Sequence, residues 1–447
     1  MSYTLLSNAN APIFFGMLGI SLVLGLLWGF RNGGWNRNLP FMFTMVVFTQ
    51  YFLISPIYFF TTGKKRIIGT DISAYYGAGA YYAFLGVIFF VLGYMLGPKR
   101  RSVTAGVSFS IPNIERILTI VFFSVYGVVL VNMAFGGINV VNLFIGNEVV
   151  GLGAEGASYY LQNFADSLIT ILIVGYLAGV SRNKLIVWVF LSFFLFSLLG
   201  FRYRILLTLF GLLMVYVMKN RITIKQAFIG LILTLLFLYA VVFSTANRNV
   251  LILRQYDKVE FGLSKVKSSL FFEQTRGTLA DMTIYKVYDN PFKNVSHDYG
   301  QSMFAYIFVR MIPRFVYPGK DSFYPTPQTK VQLAALDAWW AKYAGESLLS
   351  NGCLYVAWGW AGIVIGSFIW GFFLRMFTNG VDFDNLLSIA TYIVITLVSF
   401  QWITRAYFPQ AVDHAVYMLM PVWVLRWLQK RYLKKVSSQM EPDSGNH

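Results

Sequence analysis

The sequence predicts an all-α, polytopic integral membrane protein with about eleven transmembrane helices, within a range of about 10–13. Hydrophobic residues make up 57% of the chain and charged residues only 12%, and the mean hydropathy is +0.59. The apolar residues are gathered in continuous runs of roughly 14–24 residues, which is near the length that a helix needs to cross a bilayer. The strands of a membrane barrel would instead alternate apolar and polar residues.

Eleven apolar segments define the predicted helices. The segment at 205–218 is short, so a tilted or kinked helix there would change the count. Nothing repeats at a fixed period, and we therefore predict a single transmembrane domain over 1–447, with a large loop at 244–350 and a basic tail at 429–447. The segments cover residues 11–30, 39–60, 75–96, 117–135, 161–180, 185–201, 205–218, 227–243, 353–373, 386–402 and 412–428.

Basic residues in the short loops predict the orientation, because Lys and Arg accumulate on the cytoplasmic side of membrane proteins. With the large loop left out, the tail and the alternate loops on its side carry many basic residues, namely Arg31, Arg37, Lys99, Arg100, Arg101, Arg116, Arg182, Lys184, Lys219, Arg221, Lys225, Arg375, Arg426, Lys430, Arg431, Lys434 and Lys435. The opposite loops carry only Lys64, Lys65, Arg66, Arg202, Arg204 and Arg405. The tail is therefore predicted to be cytoplasmic, and the large loop and the N-terminus to face outward.

The large loop, called the cap below, is rich in cations. It carries thirteen Lys and Arg against nine Asp and Glu, so we expect an anionic ligand. Apolar residues recur near helical spacing at 266–287 and 329–343, which predicts two amphipathic helices on the outer membrane surface. The net charge of +17 of the whole chain is explained by topology and by contact with anionic inner-leaflet lipid, and it does not indicate nucleic-acid binding.

The sharpest local signal is Gly-Phe-Arg-Tyr-Arg at 200–204, which separates two apolar runs with almost no loop. Ionisable groups flanked so tightly by apolar sequence are usually functional, and Arg suits bidentate recognition of phosphate. We predict that Arg202 and Arg204 belong to a phosphate or pyrophosphate site. Snorkelling of both side chains to lipid headgroups is the alternative. Arg248 and Arg405, at other predicted outer helix ends, are further candidates.

A second basic element lies in the cap at 308–320, with the sequence Phe-Val-Arg-Met-Ile-Pro-Arg-Phe-Val-Tyr-Pro-Gly-Lys. Two prolines and a glycine restrict and turn the backbone there. This pattern predicts a structured turn that presents Arg314 and Lys320 toward the membrane, with Arg310 beside them. The alternative is a basic turn that only rests on the membrane surface.

These elements resemble Wzy-type oligosaccharide repeat-unit polymerases, the family of O-antigen and enterobacterial common antigen polymerases. Residues 312–320 look like the turn that precedes the late helices of that family, and residues 200–204 resemble its Arg-bearing element. Gln-Thr-Arg-Gly at 274–277 lies where the family often carries an Arg in its large loop. Residues 354–362 are similar to its Tyr-x-x-x-Gly-x-x-Gly motif. The resemblance covers the second half of the chain, and the first half matches only in hydropathy.

The resemblance implies a GT-C-like glycosyltransferase in the bacterial inner membrane, with a periplasmic active site and no cofactor. It implies a metal-independent, inverting reaction that moves a glycan from undecaprenyl diphosphate to a hydroxyl of the next lipid-linked repeat unit. The implied partners are the lipid-linked oligosaccharide, membrane lipids and a polysaccharide chain-length regulator. Cations would stabilise the departing pyrophosphate. The predicted set is Arg202, Arg204, Arg248, Arg276, Arg310, Arg314, Lys320 and Arg405.

The acceptor hydroxyl needs a general base or an orienting acceptor. The outer candidates are Asp281, His297, Asp298, Glu346, Asp413 and His414. Glu346 and His414 rank first, and Asp298 is also retained. Some relatives have an acidic residue just before the Leu-Tyr pair where this chain has Cys353, and this departure leaves the carboxylate undecided. Cap aromatics are predicted to stack on sugar rings or, alternatively, to form an interfacial belt; they are Tyr317, Tyr324, Trp339 and Trp340.

Two other motifs have simpler explanations. Gly-Leu-Gly-Ala-Glu-Gly at 151–156 has the spacing of a dinucleotide fingerprint, but no strand is predicted before it. Asp-Phe-Asp at 382–384 has the spacing of a metal-binding pair, yet it precedes an apolar helix and is typical of a helix cap. With three His and no spaced Cys or carboxylate set, no dedicated metal site is predicted.

Two alternative functions stay open at this point. An O-antigen ligase would differ only in its acceptor. A transporter or flippase of lipid-linked oligosaccharide is a different class, typified by internal repeats, broken helices and ionisable residues at the membrane midplane. Here the predicted helices are nearly free of ionisable residues apart from Asp166 near one end, which favours an outward-facing enzyme.

The orientation is testable with reporter fusions. We expect a reporter fused after Lys435 to be active only in the cytoplasm and one inserted beside Asp298 to be active only in the periplasm, because of the asymmetry in basic residues. Accessibility of the two sites in intact cells measures this. The reverse pattern would overturn the predicted topology.

Overall fold

The computed structural model describes residues 6–98, 111–135, 161–199, 202–220, 268–273, 275–290, 295–312, 316–323, 326–336 and 347–440. These residues are mostly helical, and six of the described helices are long and apolar enough to cross a membrane. The predicted all-α membrane fold is therefore confirmed. The six are Asn8–Arg31, Leu39–Thr61, Tyr76–Leu96, Ile114–Ala134, Ser350–Asn379 and Leu386–Arg405. The predicted segment at 227–243 lies outside the described residues.

We number the helices in chain order. A four-residue helix, Gly34–Arg37, separates the first two, and short 3-10 helices occur at Asn8–Asn10 and Pro318–Phe323. The numbered helices are α1 Ala11–Arg31, α2 Leu39–Thr61, α3 Tyr76–Leu96, α4 Ile114–Phe135, α5 Asp166–Leu177, α6 Arg182–Leu198, α7 Arg202–Lys219, α8 Ser268–Glu273, α9 Gly277–Asp289, α10 residues 301–311, α11 Pro327–Ala335, α12 Ser350–Asn379, α13 Leu386–Arg405 and α14 Phe408–Met440. A π-helical stretch, Thr49–Ile54, lies within α2, and α10 joins a π-helical turn, Gln301–Ala305, to the α-helix Tyr306–Met311.

The described residues include a small β hairpin, which the all-α prediction omitted. Strands β1 (Arg66–Ile67) and β2 (Thr70–Asp71) pair antiparallel. Ile68 and Gly69 form the turn between them, with φ of 45° and 83°. Positive φ at both central residues is typical of the type I′ turn, one of the favoured two-residue hairpin turns.

The C-terminal helix is longer than the sequence predicted. The last apolar segment was predicted to end at 428, but α14 continues without a break to Met440. Lys, Arg and Gln are good helix formers, so the first part of the predicted basic tail continues the helix.

The predicted cap helix at 266–287 is broken, and its second part is not on the membrane surface. A turn at Thr275-Arg276 separates α8 from α9, and α9 is buried against α3 and α12. Its polar side chains are bonded inside the protein: the Thr278 hydroxyl donates to Tyr51 O at 2.6 Å and the Thr283 hydroxyl to Ala280 O at 2.7 Å. The polar residues that lie between the apolar ones suggested a helix on the membrane surface, but in the structure they form hydrogen bonds inside the protein. Of the predicted helix at 329–343, the structure describes α11.

Helices α3 and α12 pack closely through glycines. A Cβ atom on Gly93 would lie 2.0 Å from Phe368 O, and one on Gly371 would lie 2.1 Å from Phe90 O. Small residues at helix crossings let backbones approach within membranes. This contact makes α3 and α12 the central pair of the described helices, and α9 lies across their cap end.

Helix α12 is broken at Trp358 and Gly359. Gly359 has φ of 65° and ψ of −151°, a conformation that is essentially restricted to glycine. The break frees backbone carbonyl groups, which the cap satisfies. Asp298 N donates to Val356 O at 3.1 Å, and Tyr299 N donates to Ala357 O at 3.0 Å.

At the opposite, predicted cytoplasmic end, a polar network ties four helices together. The Tyr94 hydroxyl lies 3.1 Å from both Asn38 Oδ1 and Thr378 Oγ1 and shares its hydrogen between these two acceptors. Arg375 Nη1 also donates to Asn38 Oδ1, at 3.1 Å, and Leu39 N donates to the Tyr392 hydroxyl at 2.9 Å. This network closes α2, α3, α12 and α13 against one another.

The break in α12 can be tested by replacing its glycine. We expect Gly359→Ala to destabilise the protein by about 1–3 kcal/mol, because alanine must adopt a strained backbone conformation. Its new Cβ would also lie 3.1 Å from His297 Nε2. Thermal unfolding in detergent measures the effect. The control is Gly127→Ala in α4, where a Cβ meets nothing within 4 Å; equal melting temperatures for the two variants would contradict the expectation.

Candidate functional site

A buried group of charged and polar side chains joins α5, α7 and α14. Arg204 Nε donates to Asp166 Oδ1 at 2.5 Å, and Arg204 Nη2 donates to Asn163 Oδ1 at 3.0 Å. His414 Nδ1 bonds the other carboxylate oxygen of Asp166. The Tyr203 hydroxyl lies 3.3 Å from His414 Nε2. We call Asn163, Asp166, Tyr203, Arg204 and His414 the buried cluster.

The buried cluster is shielded from solvent. Asp166 and Arg204 are 0% exposed and His414 is 1% exposed. Isolated charges at such a position would be strongly unfavourable, and pairing with hydrogen bonds is what makes them tolerable. Asp166 satisfies this condition because each of its carboxylate oxygens has a cationic or imidazole partner.

The helical rise gives the distance of the buried cluster from the predicted cytoplasmic ends of its helices. Lys219 Nζ donates to Leu177 O at 2.9 Å, which aligns these ends of α7 and α5. From them, Asp166 lies about 17 Å and Arg204 about 23 Å along their helices, compared with a hydrocarbon thickness of about 30 Å. On the predicted topology, the buried cluster therefore lies in the outer half of the helix bundle.

Local sequence explains why these side chains meet. Asp166 and Arg204 both lie in the first turn of their helices, and a carboxylate is stabilised near a helix N-terminus. The Ser167 hydroxyl donates to Tyr417 O at 2.7 Å and fixes α5 against α14. The Phe164 and Tyr417 rings pack at 5.2 Å on the same side. These contacts set the register in which His414 faces Asp166.

The cap is attached beside the buried cluster by an ion pair. Arg310 of α10 donates to Asp413, the neighbour of His414, and the two side chains are only 10% and 9% exposed. Lys320 Nζ donates to Ile312 O at 2.7 Å and to Arg310 O at 3.4 Å, so it closes the C-terminal end of α10. Two predicted cations of the basic turn, Arg310 and Lys320, thus lie at the N-terminal end of α14.

Arg405 lies next to Tyr203 of the buried cluster. It lies in the last turn of α13, and its side chain is exposed. Its Cζ atom is 5.6 Å from the centroid of the Tyr203 ring, and Arg204 Cζ is 5.4 Å from the same centroid. Cations at such distances from an aromatic ring are attracted to its face. Tyr203 therefore links an exposed guanidinium to a buried one.

Arg276, another predicted phosphate ligand, lies in a different ion pair. It donates to Glu273, which also accepts from Lys64 in the loop after α2. Partial burial alone would raise the pKa of Glu273, but Lys64 and Arg276 outweigh this effect and hold the pKa below its usual value. This cation joins the cap to the loop that contains the β hairpin.

Asp298 and Asp281, two of the outer carboxylates, accept hydrogen bonds from helix N-termini. Asp298 Oδ1 accepts from Gly300 N at 2.8 Å, and its other oxygen accepts from the Ser302 hydroxyl. Asp281 Oδ1 accepts from Leu349 N at 2.9 Å, at the start of α12. Burial raises the pKa of Asp281 well above its usual range, against the lowering effect of nearby backbone N–H groups. Both carboxylates thus cap helices.

The remaining predicted residues are only partly described. Tyr317 is 38% exposed, and its ring lies 6.4 Å from that of Phe323. Arg202 begins α7, but its side chain is outside the description. Also outside the described residues are Arg248, Arg314, Tyr324, Trp339, Trp340 and Glu346.

Sequence reasoning missed three members of the buried cluster, Asn163, Asp166 and Tyr203, although Tyr203 lies between the two arginines of the 200–204 motif. Asp166 carried a signal, since it was the one ionisable residue noted within the predicted helices, and such residues are functional candidates by default. Asn163 carried none. In the described part of the chain, no group of three or more His, Cys, Asp or Glu is arranged to hold a metal ion.

The fold and the buried cluster define a polytopic α-helical membrane protein with an ionisable site near one end of its helices. Comparison with protein-family models, with curated proteins and with solved structures finds no match.

The pairing within the buried cluster makes a prediction about stability. We expect Asp166→Asn to destabilise the protein by about 3–5 kcal/mol, because it leaves the Arg204 charge buried without its carboxylate. The double variant Asp166→Asn with Arg204→Met is expected to recover part of this loss. Thermal unfolding in detergent measures both.

The matched control for Asp166→Asn is Glu115→Gln. Glu115 pairs with Lys184 at 2.6 Å, but the two side chains are 40% and 55% exposed, and an exposed pair contributes at most about 1 kcal/mol. Similar losses in the two single variants would contradict a structural role for the buried pair.

Proposed function

We propose that the protein is a polymerase of undecaprenyl-diphosphate-linked oligosaccharide repeat units. In this proposal it is a metal-independent, inverting glycosyltransferase of the GT-C-like class, with about eleven transmembrane helices, in the bacterial inner membrane. The observation that carries the proposal is the position of His414, which is held by Asp166, while Arg204, Arg310 and Arg405 contact its neighbours Asp166, Asp413 and Tyr203. The motif resemblance supplies the substrate class.

His414 is the proposed general base. If Nδ1 carries a proton, it donates to Asp166, and Nε2 is left as the acceptor that faces the Tyr203 hydroxyl. A carboxylate that orients an imidazole in this way is a recurrent arrangement for proton abstraction. The acceptor sugar hydroxyl would take the place that the Tyr203 hydroxyl occupies beside Nε2. Glu346 stays a second candidate.

The proposed reaction balances with these groups. The acceptor oxygen forms a bond to the anomeric carbon of the donor glycan while the bond from that carbon to the pyrophosphate breaks. The proton of the acceptor hydroxyl passes to His414 Nε2, and undecaprenyl diphosphate leaves on the opposite face of the sugar. Inversion follows from this single displacement.

Cations beside the buried cluster are proposed to hold the departing pyrophosphate. Arg405 is the exposed one next to Tyr203, and the turn that contains Lys320 is fixed over α14 through Arg310. Arg202 and Arg314 are the other predicted members. Arg204 is instead proposed as a positioning residue, because its Nε and Nη2 atoms bond Asp166 and Asn163. One group that stabilises developing charge in this way typically raises the reaction rate about 10²–10³-fold.

A ligase would use the same chemistry with a different acceptor. Two structural observations favour the second candidate, a transporter or flippase of the lipid-linked oligosaccharide. Helix α12 is broken at Gly359, and the buried cluster places ionisable groups within the bundle; both features are common in transporters. The polymerase is preferred because the cations and the imidazole converge at one end, where a transfer reaction needs them together.

The proposal predicts elongation of lipid-linked repeats by protein in detergent micelles, with EDTA present. Micelles have no compartments, so a transporter would produce no longer glycan there. We expect His414→Gln and Arg405→Ala to lower the elongation rate by about 10²-fold or more, through loss of the base and of a charge-stabilising group. Arg202→Ala and Arg314→Ala are expected to abolish polymer and leave only single-repeat products, because each removes a proposed pyrophosphate ligand. Gel separation of the glycans measures chain length.

The matched control for Arg405→Ala is Arg31→Ala. Arg31 is also an exposed arginine in the last turn of a membrane-spanning helix, but it lies at the predicted cytoplasmic end. Its variant should elongate normally. Uptake of the lipid-linked repeat by sealed vesicles without elongation in micelles would select the transporter instead. Loss of activity with chelator, restored by added metal, would refute metal independence.

A further inference from the structure

Helix α10 presents an apolar face that no described part of the protein covers. Phe304, Phe308 and Met311 are 48%, 70% and 57% exposed, and their spacing places them on one side of the helix. The opposite side is attached to the protein: Ser302 and Met303 are buried, and Arg310 binds Asp413. The helix is therefore amphipathic, with its polar attachment inward and its large apolar side chains outward.

The break in α12 sets the depth of this helix. Residues 360–379 below the break are helical and cover about 30 Å, the thickness of the hydrocarbon layer. The break therefore lies at a boundary of that layer. The chain entering α10 is bonded to the break itself, through Asp298 N to Val356 O and Tyr299 N to Ala357 O.

Aromatic side chains mark the same level. Trp358 and Trp360 are 37% and 63% exposed beside the break, as expected for the aromatic belt of a membrane protein. The Phe304 ring lies 6.1 Å from the Trp358 ring and 5.4 Å from the Phe408 ring. Helix α10 thus begins at the level of the belt.

The apolar face of α10 meets α12 at its broken end, where the Phe304 ring contacts the Trp358 ring. Below Trp360, the same membrane-spanning helix exposes Ile365, Ile369, Phe373 and Met376, each between 41% and 56% exposed. Large apolar residues exposed along a membrane-spanning helix contact lipid chains. Helix α10 is thus joined to the end of a helix whose exposed side contacts lipid.

We propose that α10 is an interfacial helix whose Phe304, Phe308 and Met311 face is inserted into the hydrocarbon of the adjoining leaflet, the outer one on the predicted topology. The lipid chains are its partner, and the insertion holds Arg310 at the depth of Asp413. This inference does not depend on the reaction proposed above, because it follows from the exposure of the apolar face and from the attachment of α10 at the break in α12.

Site-directed spin labelling in vesicles of phosphatidylethanolamine and phosphatidylglycerol tests the insertion. The sequence has a single cysteine, Cys353, which is 1% exposed, so the parent protein, whose cysteine is buried, serves as the labelling control. Nitroxides are placed by Phe308→Cys and Met311→Cys. Collision with oxygen, which concentrates in lipid, is compared with collision with a water-soluble nickel chelate.

Two further positions calibrate the measurement. Ile369→Cys reports the lipid-facing side of α12, and Ala74→Cys reports an exposed position in the loop after the β hairpin. We expect the ratio of oxygen to nickel collision rates at 308 and 311 to approach that at 369 and to be several-fold higher than that at 74.

Two outcomes would overturn the proposal. A ratio at 308 and 311 equal to that at 74 would place the face in water. Low collision rates with both reagents, together with dipolar coupling between labels on different molecules, would show that a second copy of the chain covers the face instead. All four substitutions replace side chains at the surface of the described structure, so the comparison does not depend on a variant with an altered core.

Discussion

The interaction on which the candidate site depends is the double pairing of Asp166. One carboxylate accepts from Arg204 and from His414 inside an apolar bundle, and so holds α5, α7 and α14 in one register. The low dielectric of the surroundings makes each of these bonds strong and makes the loss of either one costly. Asp166 therefore orients the His414 imidazole and also allows the Arg204 guanidinium to be buried.

The cap is attached at the end of α14 that contains His414. Asp413, beside His414, receives Arg310, while the backbone before α10 bonds the carbonyl groups freed by the break in α12. An earlier part of the cap is integral to the fold, because α9 is buried and Asp281 caps α12. The cap thus combines a buried portion, packed against α3 and α12, with a portion attached over the buried cluster by the Arg310–Asp413 ion pair and by the backbone hydrogen bonds to the break in α12.

The apolar segments could be predicted from sequence because lipid forces every backbone polar group to bond within its own helix. The partners of charged residues could not, since they depend on contacts between distant parts of the chain: Asp166 lies 38 residues from Arg204 and 248 from His414. Burial of α9 was missed because its threonines bond backbone carbonyls, which a hydrophobic pattern does not distinguish from exposure to water. Arg204 and His414 were found individually as candidates, but their common partner was not.

Charge balance explains how the proposed chemistry and the buried cluster fit one another. With a neutral imidazole, the charges of Asp166 and Arg204 cancel, and a neutral group is the form least opposed by a low-dielectric site. In the proposed transfer, a proton reaches His414 as negative charge develops on the departing pyrophosphate. The imidazolium is then stabilised by Asp166, and the pyrophosphate by Arg405 and the cations of the cap. Asp166, which is buried between Arg204 and His414, therefore supports His414 as a base that becomes charged only during the reaction.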